Sequence, residues 1–351
     1  MTSKEVREHR RPMNVYVRRG SRAEKAFRKR AGSPVPKAIV PGIAPTPEHD
    51  LKYLGGKTIQ NLRFTNFYVG GDAWNQDDIA SIDKALSEAL SDQNLNNVMV
   101  QYFSGPITTT FDGSQRLPGA APRLMSQGDV EQLVKTLHLE GRLTSDLTST
   151  VYNFMLPPGT VLNTDTTTTG GGKQVVDAVK RQMAAAKTHI IVPEDDEDDS
   201  LNGLGGYHGS VHVSGTVTVY YAVGVYSQTE ADGTVNGIPV FDQPWKNVVA
   251  TFYHELNEAR TDADVEDAIR AGNSPNADSF LGWMSDQGEE CGDFPVSEAG
   301  GDLTKVFQEV ELTDDRGKVP VQFMYSDAVH GPEGPIAEAH ARVNSLRRRS
   351  A

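Results

Sequence analysis

The chain contains very little cysteine: of its 351 residues, only Cys291 is one. An intrachain disulfide is therefore excluded, and no mark of an oxidising compartment remains. The sequence also lacks an apolar run near the roughly 20 residues that span a bilayer. Its basic N-terminus lacks the apolar core of a secretory signal. We predict no transmembrane segment, and the location stays open between the cytoplasm and export without a recognisable signal.

Basic residues are scarce in most of the chain. Residues 1–46 carry 12 Lys and Arg against 3 Asp and Glu, and residues 342–351 add 4 Arg. Of the totals of 34 and 47, this leaves 18 basic and 44 acidic residues in 47–341, a net charge of −26. Nucleic-acid binding needs basic surface, so this acidic part is a poor candidate for it. The basic arm is expected either to dock on the acidic part or to contact another polyanion.

Proline and charge divide the chain into three parts. Residues 1–50 are predicted to be a basic, Pro-rich arm, either disordered or a pro-segment, in which 13–17 could form a short docked strand. Residues 51–335 are predicted to form a single α+β domain. Residues 336–351 are predicted to form a C-terminal helix, up to residue 347, and a basic tail.

Within residues 51–335, apolar spacing predicts a mixed β-sheet packed with helices. Strands are predicted at 59–69, 98–103, 151–156, 189–192, 211–226 and 319–325. Helices are predicted at 78–91, from Ser126, at 174–186, from Asp242 and Pro244, and at 264–270. Loops are predicted at 104–126 and 164–172. The acidic run Glu194–Asp199 lacks the spacing of a Ca²⁺ loop and is predicted to be solvated.

The segment 253–262 carries the clearest chemical pattern, on a predicted helix at about 245–260. His254 and Glu258 are four residues apart and therefore share one helix face. Glu255 projects about 100° around the helix axis from His254. This His-Glu-x-x-Glu pattern has the layout of a zinc-peptidase helix, His-Glu-x-x-His, with Glu in the last place.

A catalytic zinc ion usually has three protein ligands and a water. His254 and Glu258 supply two, and the third is expected from one of Glu290, Asp293 and His208. Glu255 would then be the general base on the metal-activated water. One histidine with two carboxylates fits Zn²⁺ but leaves Mn²⁺ and Ca²⁺ open. The alternative is an ordinary polar helix face, with Glu258 and Arg260 paired to surface charges.

The other common nucleophiles lack support in the sequence. Cys291 lies among Glu289, Glu290 and Asp293, which should raise its pKa and disfavour a reactive thiolate. No Gly-x-Ser-x-Gly pattern of a serine hydrolase occurs.

Several motifs resemble, in order, those of the plant EXORDIUM-like, phosphate-induced protein family and its bacterial relatives. The matching segments are Tyr53–Gly56, Gly206–Gly209, Tyr220–Gly224, His254–Glu258 with Thr261 and Asp262, Gly282–Trp283, Glu290–Asp293 and Val321–Tyr325 with Gly331 and Pro332. They cover roughly residues 51–333 in islands. The chain departs from the family by its basic arm, an extra stretch at 264–277, and the lack of a secretion signal and of several cysteines.

The resemblance implies a zincin-like α+β domain with a metal site. Carried onto this sequence, the site comprises His254, Glu255 and Glu258, with Glu290, Asp293 and His208 as neighbours. The family is linked to growth and cell-wall responses. We predict a metal-dependent hydrolase, a zinc metallopeptidase acting on a peptide or protein. The alternative is a non-catalytic binding or signalling protein of this family, with a structural ion or none.

Overall fold

The computed structural model describes residues 15–18, 21–31, 43–168 and 198–343. The predicted helix at 174–186, the predicted strand at 189–192, most of the acidic run and the basic tail lie outside the described residues. So do parts of the arm and of the 164–172 loop.

A six-stranded mixed sheet forms the centre of the molecule. Its spatial order is β1 (Val15–Val17), β8 (Leu204–Ser214), β9 (Val217–Gly224), β6 (Thr150–Met155), β3 (Asn61–Tyr68) and β4 (Thr108–Arg116). Strands β9, β6, β3 and β4 are parallel to one another. Strand β8 runs antiparallel to β9, and β1 runs antiparallel to β8. The α+β class and the mixed sheet are therefore as predicted.

The described residues also form five two-stranded ribbons. They are β2 (Lys52–Tyr53) with β12 (Trp283–Met284), β5 (Leu124–Met125) with β7 (Val161–Leu162), β10 (Gln228–Thr229) with β11 (Val235–Asn236), β13 (Phe307–Glu311) with β14 (Lys318–Gln322), and β15 (Met324–Ser326) with β16 (Gly331–Glu333).

The described helices are α1 (Arg22–Ala31), α2 (Gln76–Ser91), α3 (Gln93–Met99), α4 (Gln127–Leu139), α5 (Pro244–Thr261), α6 (Val265–Ala271) and α7 (Asp293–Glu298). They cover both faces of the sheet. A hydrophobic core lies on each face of the sheet, and residues of β3 point alternately into the two cores. Phe64 packs with α2 and α5, whereas Phe67 packs with α4. This period of two is what a strand buried on both sides requires.

Most of the predicted elements are confirmed near their predicted bounds. Asn75 caps α2, and Ser126 and Asp129 form a capping box at α4. The predicted β-segment 211–226 lies in the β8–β9 hairpin, although β8 begins earlier, at Leu204. Pro244 lies in the first turn of α5, and Gly272 ends α6.

Two predictions inside the domain are wrong. Residues 98–102 are helical rather than a strand, because the Asp92 side chain accepts N–H bonds from Asn94 and Leu95 and starts α3, and Phe103 is extended. Residues 104–126 are not a plain loop, because they contain the edge strand β4 and the short β5. Strand β4 is half exposed and polar, so its sequence lacks the alternation that marks a strand.

At the N-terminal end, the short docked strand predicted within 13–17 is present as β1, whereas α1 was not predicted, and both pack on the domain. At the other end, the predicted C-terminal helix is wrong. Residues 336–343 form no helix, because their backbone bonds to the α3 region instead. Ile336 donates to the Asn94 carbonyl, and Val343 donates to the Gln101 carbonyl.

Candidate metal centre

Helix α5 is buried on all sides, so its polar residues lie inside the protein. Phe252 and Leu256 pack into the apolar core, and His254, Glu255 and Glu258 are each 0% exposed. The alternative of a surface-exposed polar face therefore does not apply. An unpaired buried charge is strongly destabilising, so these carboxyl groups need partners.

His254 and Glu258 face each other without a hydrogen bond between them. Nε2 of His254 lies 3.1 Å from Oε2 of Glu258. Neither atom has a hydrogen-bond partner within the described residues. Nδ1 of His254 contacts Oε1 of Gln322 at 3.0 Å, and Nε2 of Gln322 donates to the Gly292 carbonyl at 2.6 Å. With Oε1 of Gln322 as acceptor, Nδ1 is the donor, and in a neutral ring Nε2 presents a lone pair to Glu258.

The loop before α7 closes the site from a second side. Gly292 donates its N–H to Oε1 of Glu258 at 3.0 Å, and Glu290 donates its N–H to Oδ2 of Asp293 at 3.1 Å. A Cβ at Gly292 would lie 2.3 Å from Nδ1 of His254, so a glycine lets this loop reach the helix. Both carboxyl oxygens of Glu290 lack a hydrogen bond among the described residues.

Strand β8 brings His208 to the third side. Nδ1 of His208 lies 3.2 Å from Oε2 of Glu255 and 3.8 Å from Oε2 of Glu258. Its Nε2 lies 3.6 Å from Oε1 of Glu290. Burial lowers the pKa of His208 to about 4, although Glu258 opposes that shift. This shift favours the neutral ring, which is the form that binds a metal ion.

Burial and mutual repulsion raise the pKa of the carboxyl groups in the cluster. The pKa of Glu255 is raised well above its usual range, first by burial and then by Glu258 and Asp293. The pKa of Glu290 is raised in the same way, first by burial and then by Glu258 and Asp262. Such groups either hold protons or share a bound cation. Burial, more than the neighbouring acids, also raises the pKa of the Cys291 thiol, as predicted for an unreactive cysteine.

The cluster contains two sets of atoms that could hold a cation. One is His254, Glu258 and Asp293; the other is His208, Glu255 and Glu258. In each, the ligand atoms lie within 4.8 Å of one another. Zinc bonds of about 2.0–2.2 Å in a tetrahedron place ligand atoms roughly 3.3–3.6 Å apart. Small side-chain movements would therefore suffice, and the buried oxygen and nitrogen atoms without partners fit a cation.

All six residues that the sequence singled out come together, but the structure adds others. Gln322 orients His254, Gly292 donates to Glu258, and the ring of Tyr16 lies 4.5 Å from that of His254. Gly292 lies inside a noted motif, whereas nothing in the sequence marks Gln322 or Tyr16 as a neighbour of α5. His212, on the same strand as His208, lies outside the cluster and contacts Asp267 at 2.7 Å.

The cluster is enclosed in this conformation. A groove of about 750 Å³ lies where β3 and β4 begin, and its lining includes Arg63, Asp112 and Asp146. None of the six cluster residues lines it. Any ligand larger than an ion therefore needs part of the cover to move before it reaches the cluster.

Comparison with known proteins leaves the resemblance untested: no family model, curated protein or solved structure matches the chain. Among the residues that the structure describes, no helix has both the length and the apolar character needed to cross a membrane. The cluster itself therefore carries the functional inference.

Proposed function

We propose that the protein is a metal-dependent hydrolase, a zinc metallopeptidase in which α5 and the loop before α7 hold the ion. One observation carries this proposal. Nε2 of His254 and Oε2 of Glu258 approach to 3.1 Å inside the protein, and neither has a hydrogen-bond partner among the described residues. Two acceptors at that distance repel each other unless a cation or a proton lies between them, and we propose a cation.

The proposed ligands are His254, Glu258 and Asp293. Gln322 holds the His254 ring so that Nε2 faces the ion, and Gly292 holds Oε1 of Glu258. Such outer contacts fix the orientation of ligands, and their loss commonly lowers metal affinity by roughly 10- to 100-fold. The donor set favours zinc, although two carboxylates also suit Mn²⁺ or Ca²⁺.

The proposed general base is Glu255, oriented by His208. A zinc ion held here would supply a water with a pKa of about 7. Oε2 of Glu255 contacts Nδ1 of His208, which leaves Oε1 to accept a proton. Burial and the neighbouring acids raise the pKa of Glu255, and a cation bound beside it would lower that pKa and favour the carboxylate that a general base needs. Peptides are the proposed substrate because His-Glu-x-x-Glu has the layout of a zinc-peptidase helix.

A second candidate is a non-catalytic protein in which the same residues hold a structural ion. The enclosure of the cluster favours it, because structural sites are closed whereas catalytic sites keep an open position. In that protein, His208, Glu255 and Glu258 would be the ligands, the second of the two sets. Glu255 would then bind the ion and would not be a base.

Replacement of Glu255 by glutamine separates the two candidates. We expect the parent protein to contain zinc near one equivalent by elemental analysis and to hydrolyse a peptide library. Glu255→Gln should keep the zinc and lose hydrolysis by about 100-fold or more, the size of a general-base contribution. Glu311→Gln is the matched control, because Glu311 is exposed and should leave both properties unchanged.

Each other outcome favours a different conclusion. Loss of zinc in Glu255→Gln would make Glu255 a ligand and support the structural ion. A parent protein without Zn²⁺, Mn²⁺ or Ca²⁺, and unable to take them up, would contradict both candidates that contain an ion.

A further inference from the structure

The short strand β1 brings the described part of the arm next to the cluster. Strand β1 pairs antiparallel with β8, with Val15 opposite Tyr207, Tyr16 opposite Gly206 and Val17 opposite Leu204. This pairing makes β1 the edge strand next to the one that carries His208. An extended peptide that binds a sheet edge takes the same position.

Tyr16 is the residue of β1 that faces the cluster. Its side chain is 1% exposed, and its ring centroid lies 4.5 Å from that of His254. A Cβ at Gly205 would lie 2.3 Å from Cδ1 of Tyr16, so the missing side chain leaves room for the ring against β8. Tyr16 therefore covers His254 on the side where β8 would otherwise present its edge.

The charges also favour an association between the arm and the rest of the chain. The net charge of residues 1–46 is +9 from 12 basic and 3 acidic residues, whereas residues 47–341 carry 44 acidic and only 18 basic residues. Attraction between them raises the local concentration of β1 at β8. A covalently attached strand therefore excludes a free peptide of similar sequence from the same edge.

We propose that Val15–Val17 acts as an internal plug: it occupies the edge of β8 where an extended peptide substrate binds, with Tyr16 over His254. This inference rests on the proposed function and adds its regulation and substrate class. The protein is held closed until the arm leaves. The peptide that replaces the arm is extended, runs antiparallel to β8 and carries a large aromatic residue at the position of Tyr16.

The test measures exchange between the internal strand and the same sequence added as a free peptide. A fluorescent peptide with the sequence of residues 13–19 is titrated into the metal-free full-length chain, and its anisotropy is followed. We expect Tyr16→Ser to bind this peptide at least tenfold more tightly than the parent, because its own strand is weakened. Tyr53→Ser is the matched control, because Tyr53 is 36% exposed and makes its hydrogen bond to Gly56. It should bind as the parent does.

A second peptide tests the aromatic position. The same peptide with serine in place of tyrosine should bind Tyr16→Ser at least tenfold more weakly than the original. If Tyr16→Ser does not fold, Tyr16→Leu keeps an apolar side chain next to Phe307 and is used instead. Loss of cooperative folding in both variants would make β1 a structural strand and overturn the proposal. Equal affinity of the peptide for the parent and a folded variant would overturn it as well.

These measurements do not need a metal, so they fail or succeed separately from the proposed function. Zinc content of the parent decides the metal site. If zinc binds but the peptide does not distinguish Tyr16→Ser from the parent, the site stands and the plug is wrong. If the peptide binds as expected and no metal does, β8 is a peptide-binding edge without a metallopeptidase.

Discussion

Two buried acidic positions in this molecule are stabilised in opposite ways. Asp92, between α2 and α3, is 0% exposed and accepts five hydrogen bonds, from Asn94, Leu95, Arg316 and both donors of Thr313. Glu258 is equally buried, but Gly292 is the donor to one of its oxygens, and the other has no hydrogen-bond partner among the described residues.

The pKa of Asp92 and the pKa values of the carboxyl groups near Glu258 shift in opposite directions because the numbers of hydrogen-bond donors differ. Burial alone would raise the pKa of Asp92, but the hydrogen bonds from Thr313, Leu95 and Asn94 together lower it. Near Glu258, burial and repulsion raise the pKa of Glu255 and Glu290 well above their usual range. The protein thus supplies five donors to Asp92, whereas among the described residues it supplies one to Glu258. A cation bound from solution would supply a partner to Glu258, whereas Asp92 already has its partners.

The largest effect is expected from removing the Asp92 side chain, to which the protein itself supplies five hydrogen bonds. Asp92→Ala removes a helix cap and an ion pair and leaves the Thr313 N–H without its acceptor. We expect it to lower the free energy of unfolding by about 3 to 5 kcal/mol. Chemical denaturation would measure this change. Asp302→Ala is the control, because Asp302 is an exposed cap on Thr304 and should cost about 1 kcal/mol or less. Equal effects of the two substitutions would show that burial of Asp92 adds nothing.

The opposite result is expected for Glu258→Gln in the metal-free protein. The glutamine keeps an oxygen for the Gly292 N–H and places an amide donor near Nε2 of His254. We therefore expect unchanged or slightly higher stability, by up to about 1 kcal/mol. Metal affinity should fall by about 100-fold or more, which corresponds to about 2.7 kcal/mol. Calorimetric titration with zinc and denaturation of the metal-free variant check the two parts.

A strong loss of stability in metal-free Glu258→Gln would remove the contrast with Asp92. It would mean that the chain itself satisfies the Glu258 carboxylate and that no ion is needed there. Unchanged zinc affinity would instead move the ligand set away from Glu258 altogether.

The sequence predicts one of these two positions better than the other. His254, Glu255 and Glu258 lie at helical spacing within a single helix, so their common location follows from local geometry. The hydrogen bond from the Asn94 N–H to the Asp92 side chain is also local, and a helix cap could have been predicted there. The Val and aromatic residues at 98–103 favoured a strand instead, since short apolar runs do not distinguish the two structures.

The remaining parts depend on contacts between distant segments. Thr313 and Arg316 reach Asp92 across more than 200 residues, and Gln322 reaches His254 across 68. The composition of the arm indicated a flexible chain, yet Val15 and Val17 pack against apolar residues of the sheet. Strand β4 is recognisable only by its pairing with β3. Spacing along the chain carries no information on such partners. Docking of the arm was expected from its charge, but neither the partner strand of β1 nor the enclosure of the cluster could be predicted.

Asp327 lies between the two extremes in the number of hydrogen bonds that its carboxyl group accepts. Its Oδ1 accepts hydrogen bonds from the Leu51 N–H and the Tyr102 hydroxyl, and the side chain is nearly buried. Burial raises the pKa of Asp327 to about 7, because two donors offset it only in part. In the unfolded chain an aspartate has a pKa of about 3.9. Between these two values the folded state binds more protons than the unfolded state.

The stability contributed by protonated Asp327 is therefore present below about pH 4 and lost as the pH rises through about 7. Asp327→Asn keeps the accepting oxygen and does not titrate. We expect the free energy of unfolding of this variant, relative to the parent, to increase by up to about 4 kcal/mol from about pH 4 to pH 8, which corresponds to about three pKa units. Denaturation of both proteins across this range measures the difference, and Asp302→Asn serves as the exposed control. A difference that is constant with pH would mean that Leu51 and Tyr102 suffice as donors. The number of donors would then not explain why the carboxyl groups near Glu258 behave differently from Asp92.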